Sequence, residues 1–398
     1  MFVSLFLVSC VFSIFMSTIN QAYAKAIEIL FACTKKQGFY ASGLPGGYEA
    51  TWARDSMITS LGASLVGDKF KKPFKNSLDL LTANQTERGL IPNCVGSYNT
   101  ERQSDVTFNS IDAPQWYILG HYVYARAYRD HGLIAAHKDN IDRALSWLLY
   151  QDPNEDKLIV QQPTMDWMDA FPHKYGRVLH TQALEYAVLR ATGNNELAAH
   201  IKSIVNGEIQ KYLSLWDARL GYYRPWIWKD HDGDRETEDW FDCLANLLAI
   251  ITGLATDKIA KSILRYIEKN KIDRPYPCKT IWPPLKKGDP GWHTYFEKCD
   301  ARRPLEYSNA GIWPMIGAFY VVALVKMKKF KKAGQELERL AEGNLKKLIT
   351  RDFCEGYEFN EWLHGKSGEP KGEPYQAWSA GTYIYAYECV KRKKVIFF

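Results

Sequence analysis

The chain has 398 residues, 46% of them hydrophobic, which leaves room for two domains or for one large barrel with a substantial core. Its net charge of +6 reflects 51 basic against 45 acidic residues, and part of the excess lies in Lys328–Lys332 and Lys391–Lys394. These runs read as solvated helix faces or ends, not a nucleic-acid patch. The eight cysteines show no CxxC and no Cys/His cluster at zinc spacing, which points to free thiols in a reducing compartment.

The N-terminal stretch "MFVSLFLVSCVFSIFM" is apolar, and Ala22–Ala24 has the look of a signal cleavage site. No Lys or Arg precedes the run, however. The next segment carries helical periodicity through Ile19, Ala22, Ala26, Ile27, Leu30 and Phe31. Cleavage after Ala24 would cut that helix in half. The expectation is therefore a start near Met16, with residues 1–16 extra, a domain over 17–398, and a cytoplasmic protein that needs no membrane. The alternatives are secretion or an uncleaved anchor.

Amphipathic segments then recur at 18–35, 53–66, 70–84, 112–130, 138–150, 177–192, 195–214, 240–253, 256–269, 308–326, 329–349 and 374–391. Strand-like alternation is scarce. Every second connection is long: Gly43–Thr51, Asn93–Asp112, Gln151–Tyr175, Leu220–Asp239, Arg274–Tyr307 and Phe353–Pro374. Pairs of helices with alternating short and long links predict an all-α fold, a barrel of six helical hairpins. The long links would gather at one end and carry the function.

Those links are rich in Trp, Tyr, Asp, Glu, Gly and Pro, and with 13 Trp and 24 Tyr the chain has rings enough to line a cleft. Four segments stand out. "WARD" places Trp52, Arg54 and Asp55 at the opening of a helix, where Asp55 fits either a dipole-favoured acid or a sugar ligand. "SIDAPQW" places Asp112 before Ala113 and Pro114, as a helix cap or a pocket residue with Trp116. "TMDWMDAFPHKYGRVLHTQALEY" sets Asp166 and Asp169 around Trp167, ahead of a helix with Gln182 and Glu185. A solvated charge pair needs no such neighbours, whereas apolar walls raise the pKa of a working carboxylate. Finally, Glu361 lies in an aromatic, Gly-containing loop flanked by Tyr357, Trp362, Tyr375 and Trp378.

Other chemistries find less support. No G-x-S-x-G, H-E-x-x-H or GxxxxGK[ST] occurs. Asp230–Asp239 resembles a calcium loop, but Gly233 falls at its fourth position and Phe241 stands where a bidentate Glu is needed. His173, His180, His293 and His364 lack ligand spacing.

In order, "TWARDS", "GLIPN", "FNSIDAPQW", "DWMDA", "NAGIWP" and "FNEW…YQAWSAG" resemble the motifs of the amylo-α-1,6-glucosidase family, the C-terminal domain of glycogen-debranching enzymes. The resemblance runs from about Gly46 to Val390. The chain is also similar to neutral/alkaline invertases, whose acid stands thirteen residues before a Gln-Ala-Leu, as Asp169 does before Gln182. Ala53 replaces the debranching family's usual Gly. Ala170-Phe171 replaces the invertases' paired Arg, which argues against sucrose.

The resemblance implies a barrel of six helical hairpins and an inverting hydrolase of an α-glucoside, with a sucrose hydrolase or a non-catalytic carbohydrate-binding barrel as alternatives. Both families point to Asp169 as general acid, and Glu361 matches the base. Trp167 and the two neighbouring Met would keep Asp169 poorly solvated, while Glu361 would stay ionised. Asp166 takes a supporting place in the binding site. Trp52, Trp116, Trp313 and Trp378 are expected as sugar platforms. Arg54, Asp55, Asp112, Gln182, Asn309 and Gln376 are expected to hold hydroxyls or water. A carbohydrate is the expected partner. The chemistry needs neither metal nor organic cofactor.

Overall fold

The computed structural model describes residues 17–96, 104–231, 234–349 and 355–398. Twelve of its helices have ten residues or more: α1 (Thr18–Cys33), α2 (Ala53–Ala63), α3 (Lys71–Ala83), α4 (Asp112–Tyr128), α5 (Lys138–Leu149), α6 (Leu179–Ala191), α7 (Asn195–Val205), α8 (Cys243–Thr252), α9 (Asp257–Lys269), α10 (Pro314–Lys326), α11 (Phe330–Asn344) and α12 (Ala377–Arg392). The even-numbered helices pack side by side in a closed ring, α2 on α4, α6, α8, α10, α12 and back to α2. The odd-numbered helices lie outside them. The expected barrel of six hairpins is present, and α1 completes it by packing on α12 and α11.

Burial explains the two rings. All eleven residues of α2 and twelve of thirteen in α10 are buried, so neither turns a face to solvent. Outer helix α9 instead buries Ile259, Ala260, Ile263, Leu264 and Ile267 and turns Lys258, Lys261 and Arg265 outward. Buried side chains from all twelve helices form one continuous core. Where the ring closes, α2 and α12 touch backbone to backbone. A Cβ on Gly62 would stand 1.8 Å from the carbonyl oxygen of Gly381, and one on Gly381 would stand 2.4 Å from that of Thr59. Only glycine fits at either position.

Helix ends follow local chemistry. Asp242 and Thr256 cap α8 and α9 by accepting from the Ala245 and Ile259 N–H groups. The segment expected over 308–326 begins only at Pro314, which occupies the first turn, where its missing N–H costs nothing. The segment expected over 195–214 ends at Val205, before Gly207 in the left-handed region (φ 77°). α1 falls within the expected 18–35. Residues 1–16, Cys10 and Cys354 lie outside the described residues. No helix among the described residues is long and apolar enough to cross a membrane.

Short links join each inner helix to the outer one that follows it, at 64–70, 129–137, 192–194, 253–256 and 327–329. Long links precede every inner helix, and small sheets stitch them together. Thr51–Trp52 pairs with Cys94–Val95, which pairs with Val106–Thr107. Phe241–Asp242 pairs with Ile281–Trp282, and Trp362–Leu363 with Pro370–Lys371. The stretch compared above with a calcium loop runs through strands Trp226–His231 and Asp234–Thr237, with residues 232–233 outside the described ones.

Candidate active site

A pocket of about 180 Å³ opens among the long links, lined by Ala41, Tyr48, Trp52, Arg54, Asp55, Trp167, Asp169, Tyr307, Trp313, Glu361, Gln376 and Trp378. Nine of the fourteen residues expected from sequence meet there. They arrive from four links and from the first turns of α2 and α12.

The carboxylates differ in setting. Glu361 is only 7% exposed. Its backbone N–H bonds the Glu373 carbonyl at 2.9 Å, Oε2 accepts the Glu373 N–H at 3.3 Å, and Oε1 accepts the Tyr48 hydroxyl at 3.4 Å. Gly372 allows this, because a Cβ there would stand 2.5 Å from Oε2 and the residue sits at φ 72°. Burial pushes the Glu361 carboxyl up to about 7, against the Glu373 amide, with Asp55 and Glu373 adding to the rise. This runs against the expectation that Glu361 stays ionised, because its loop buries it and burial favours the neutral acid.

Asp169 presents its surface to the open pocket while protein crowds it from behind. Desolvation raises its pKa and Arg54 opposes the rise. Asp55, in the first turn of α2, is pushed up to about 6 by burial against the pull of Arg54. The pocket thus gathers three carboxyls and one guanidinium.

Rings form the walls. Trp313 meets Trp167 at 5.5 Å, Trp378 at 5.6 Å and Tyr307 at 5.1 Å, all edge to face. Its indole N–H donates to the Tyr307 carbonyl at 3.1 Å. The buried Nε1 of Trp167 and of Trp378, and Nε2 of Gln376, have no partner among the described residues.

Five expected site residues lie elsewhere. Asp112 is fully buried behind the pocket, taking two bonds from Arg54 Nη1 (3.0 and 3.2 Å) and lying 3.3 Å from His180 Nε2. Burial alone would raise its pKa, but Arg54, His180 and the Ser110 hydroxyl hold it well below the carboxylate range. It aims Arg54 rather than facing the pocket. Trp116 packs in the core on α4. Asp166 is buried against Lys174 Nζ (2.9 Å) and accepts the Met168 N–H at 2.9 Å. Gln182 clamps the backbone of Ile159 through both its amide oxygen (3.3 Å) and nitrogen (2.7 Å), and Asn309 does the same for Leu285 at 2.8 Å each. These amides spend their hydrogen bonds on loop backbone, so they shape the links and do not reach the pocket.

Ala41, Tyr48 and Tyr307 line the pocket without having been expected. Tyr48 stood in the "GGYEATW" segment as one more aromatic. Tyr307 closed the fifth long link, and the fold turns it inward at φ 40°, a conformation uncommon for a bulky residue. Among the described residues, no group of His, Cys, Asp and Glu is arranged to hold a metal ion.

The sequence model of the amylo-alpha-1,6-glucosidase family matches residues 24–385. "Probable alkaline/neutral invertase A, chloroplastic" of Arabidopsis thaliana is 26% identical over 157 residues, 39% of this chain and 23% of that protein. "Neutral/alkaline invertase 1, mitochondrial" of Oryza sativa subsp. japonica is 30% identical over 146 residues, 36% and 22%. The match thus spans less than a quarter of these relatives. Among solved structures, the GH63 mannosylglycerate hydrolase of Thermus thermophilus in complex with Tris and D-glycerate is similar with a TM-score of 0.65 and 14% identity, covering 91% of this chain and 99% of that one. A rhamnosidase from Klebsiella oxytoca with rhamnose bound is similar with a TM-score of 0.62 and 14% identity, covering 92% and 63%. These structural likenesses concern the fold, but the family match spans almost the whole barrel, and the chain belongs to the amylo-alpha-1,6-glucosidase family of glycoside hydrolases.

Proposed function

We propose that the chain hydrolyses the terminal sugar of an α-glucoside with inversion, Asp169 acting as general acid and Glu361 as general base. The observation that carries this reading is the meeting of these two carboxyls, from links 192 residues apart, in one ring-walled pocket. The pocket is small beside ligand clefts of about 300–1,000 Å³, which suits one sugar ring bound end-on. Asp169 protonates the glycosidic oxygen as the bond breaks, and Glu361 takes a proton from water attacking the opposite face. Arg54, aimed by Asp112, and Asp55 hold hydroxyls. The six cysteines among the described residues are all free, in keeping with a cytoplasmic protein.

The raised pKa of Glu361 favours a second reading, with the roles exchanged. α-Glucosyl fluoride separates the two, since its leaving group needs no acid. Under the first reading Asp169→Asn keeps most of its activity on the fluoride, and Glu361→Gln loses it. The opposite pattern exchanges the roles. NMR of the first product from panose should show the inverted anomer; a retained anomer rules out inversion and makes one carboxylate a nucleophile.

A further inference from the structure

Tyr307 lines the pocket beside both proposed catalytic carboxyls, and it comes from a third link. Its ring is set between the other two. On one side it meets Trp313 edge to face at 5.1 Å, and Trp313 in turn meets Trp167, two residues before Asp169. On the other side it meets Trp362, the residue after Glu361, at 6.1 Å and 81°. Rings therefore run without a break from the link of the acid, across Tyr307, to the link of the base.

The backbone around Tyr307 is gripped at both ends. The Leu305 carbonyl accepts the Gly365 N–H at 2.7 Å, and Ile312 and Leu363 exchange two N–H···O bonds of 2.8 and 2.7 Å. The Tyr307 carbonyl accepts the Gly311 N–H and the Trp313 indole N–H, both at 3.1 Å. Gly311 permits this turn, since a Cβ there would stand 2.4 Å from that carbonyl oxygen. The surroundings thus hold a bulky residue at φ 40°, and backbone of this uncommon kind clusters at functional sites.

The phenol stands among the charges of the pocket. Burial pushes its pKa well above the ordinary tyrosine value; the Glu361 charge adds most to the rise, then that of Asp169, and Arg54 opposes it. The hydroxyl therefore stays protonated and is no base, but its oxygen can still accept a hydrogen bond. Glu361 already accepts the Tyr48 hydroxyl on Oε1 and the Glu373 N–H on Oε2. A water bonded to Glu361 through one hydrogen alone is free to swing about that bond. It attacks well only when a second group fixes its other hydrogen and leaves a lone pair aimed at the sugar.

We propose that Tyr307 is a further catalytic residue, its phenol oxygen accepting the second hydrogen of the attacking water beside Glu361. This rests on the reading of Asp169 as acid and Glu361 as base. The water oxygen bonds the anomeric carbon while the bond to the glycosidic oxygen breaks. Asp169 gives its proton to that oxygen, Glu361 takes one from the water, and Tyr307 keeps its own.

The test compares the full chain with its Tyr307→Phe variant, which keeps the ring contacts and removes the hydroxyl. On panose and on α-glucosyl fluoride alike, kcat should fall by the same factor, about tenfold, the worth of one hydrogen bond made in the transition state. Water attacks both substrates, whereas only panose needs the acid. KM and the inhibition constant for glucose should stay within about twofold of the parent, and the thermal midpoint should not move. A kcat within about twofold of the parent, a loss on panose alone, or glucose binding weakened as much as kcat overturns the proposal. A lowered midpoint with KM and kcat both changed makes Tyr307 a packing residue and overturns it too. No glucose released from either substrate by the parent chain sinks the acid–base reading together with this proposal; an active parent with an unaffected Tyr307→Phe sinks this proposal alone.

Discussion

Asp169 and Glu361 reach one pocket on links that are held in different ways. The Asp169 link is fixed by buried charge. Lys174 Nζ lies 2.9 Å from Asp166 and 3.0 Å from Asp242, all three side chains being essentially inaccessible, and Asp242 is also the cap of α8. The Asp169 carboxyl itself is left open to the pocket. The Glu361 link is fixed by backbone, through the strand pair Trp362–Leu363 with Pro370–Lys371 and the amide of Glu373. There the carboxyl is the buried part. One link hides its charges in the scaffold and exposes the proposed acid; the other hides the proposed base in a scaffold held by backbone. The first arrangement risks stability when its charges are disturbed, and the second places the burial cost on the proposed base.

The widest effect should come from the proposed acid and base. Asp169→Asn and Glu361→Gln should each lower kcat on panose by about 10²–10⁴ with the fold intact, and the double variant should lose little more than either. Asp166→Asn should cost less, as its carboxylate works through Lys174 and Met168. Full activity in either single variant would remove that residue from the mechanism.

Disturbing the scaffolds should separate the two links. Lys174→Met leaves two buried carboxylates without their cation and should lower unfolding stability by about 3–5 kcal/mol in urea titrations. A loss under about 1 kcal/mol would mean that charge does not hold the Asp169 link.

The buried carboxyl should act on stability in the opposite sense. Folding raises Glu361 from its ordinary value to about 7. Its contribution is therefore fully present below pH 4.5 and is lost as pH rises through 7. Glu361→Gln should then be more stable than the parent at pH 8, by on the order of 2 kcal/mol, and equal to it near pH 4. An inactive variant no more stable than the parent at pH 8 would show that the carboxyl is not strained by burial.

The smallest effect belongs to Tyr48, whose hydroxyl donates to Glu361 and favours its charged form. Tyr48→Phe should move the Glu361 limb of the kcat/KM profile upward by about half to one pH unit, with little change in the Asp169 limb. Movement of both limbs together would place Tyr48 between the two groups.

Much of the fold is legible in the sequence because the outer helices advertise themselves. The periodic stripe of α9 has one solution, whereas α2 and α10 are buried all round and are recognisable mainly through the links that precede them. The pocket is legible in part for a related reason. Motif residues next to helix starts, such as Trp52, Arg54 and Trp378, end at the pocket because every long link runs into an inner helix. Asp112, Gln182 and Asn309 have the same chemistry and a similar position, but they turn toward backbone or a buried guanidinium. Side-chain direction at a helix start depends on which neighbour is nearest, and that neighbour comes from another link. Tyr307 was hidden by the same rule, since only the turn after Leu305 sends it inward.

The glycine seam between α2 and α12 bears on how the protein is made in a cell. Arg54 and Asp55 lie on a helix that is buried on every side. Its partner across the seam is synthesised more than three hundred residues later. Until then α2 lacks one wall, and the seam at Thr59 and Gly62 stays uncovered. Contacts so distant along the chain fold slowly and leave aggregation-prone intermediates. A chaperone that shields α2 until α12 has been made would keep this seam from mispairing.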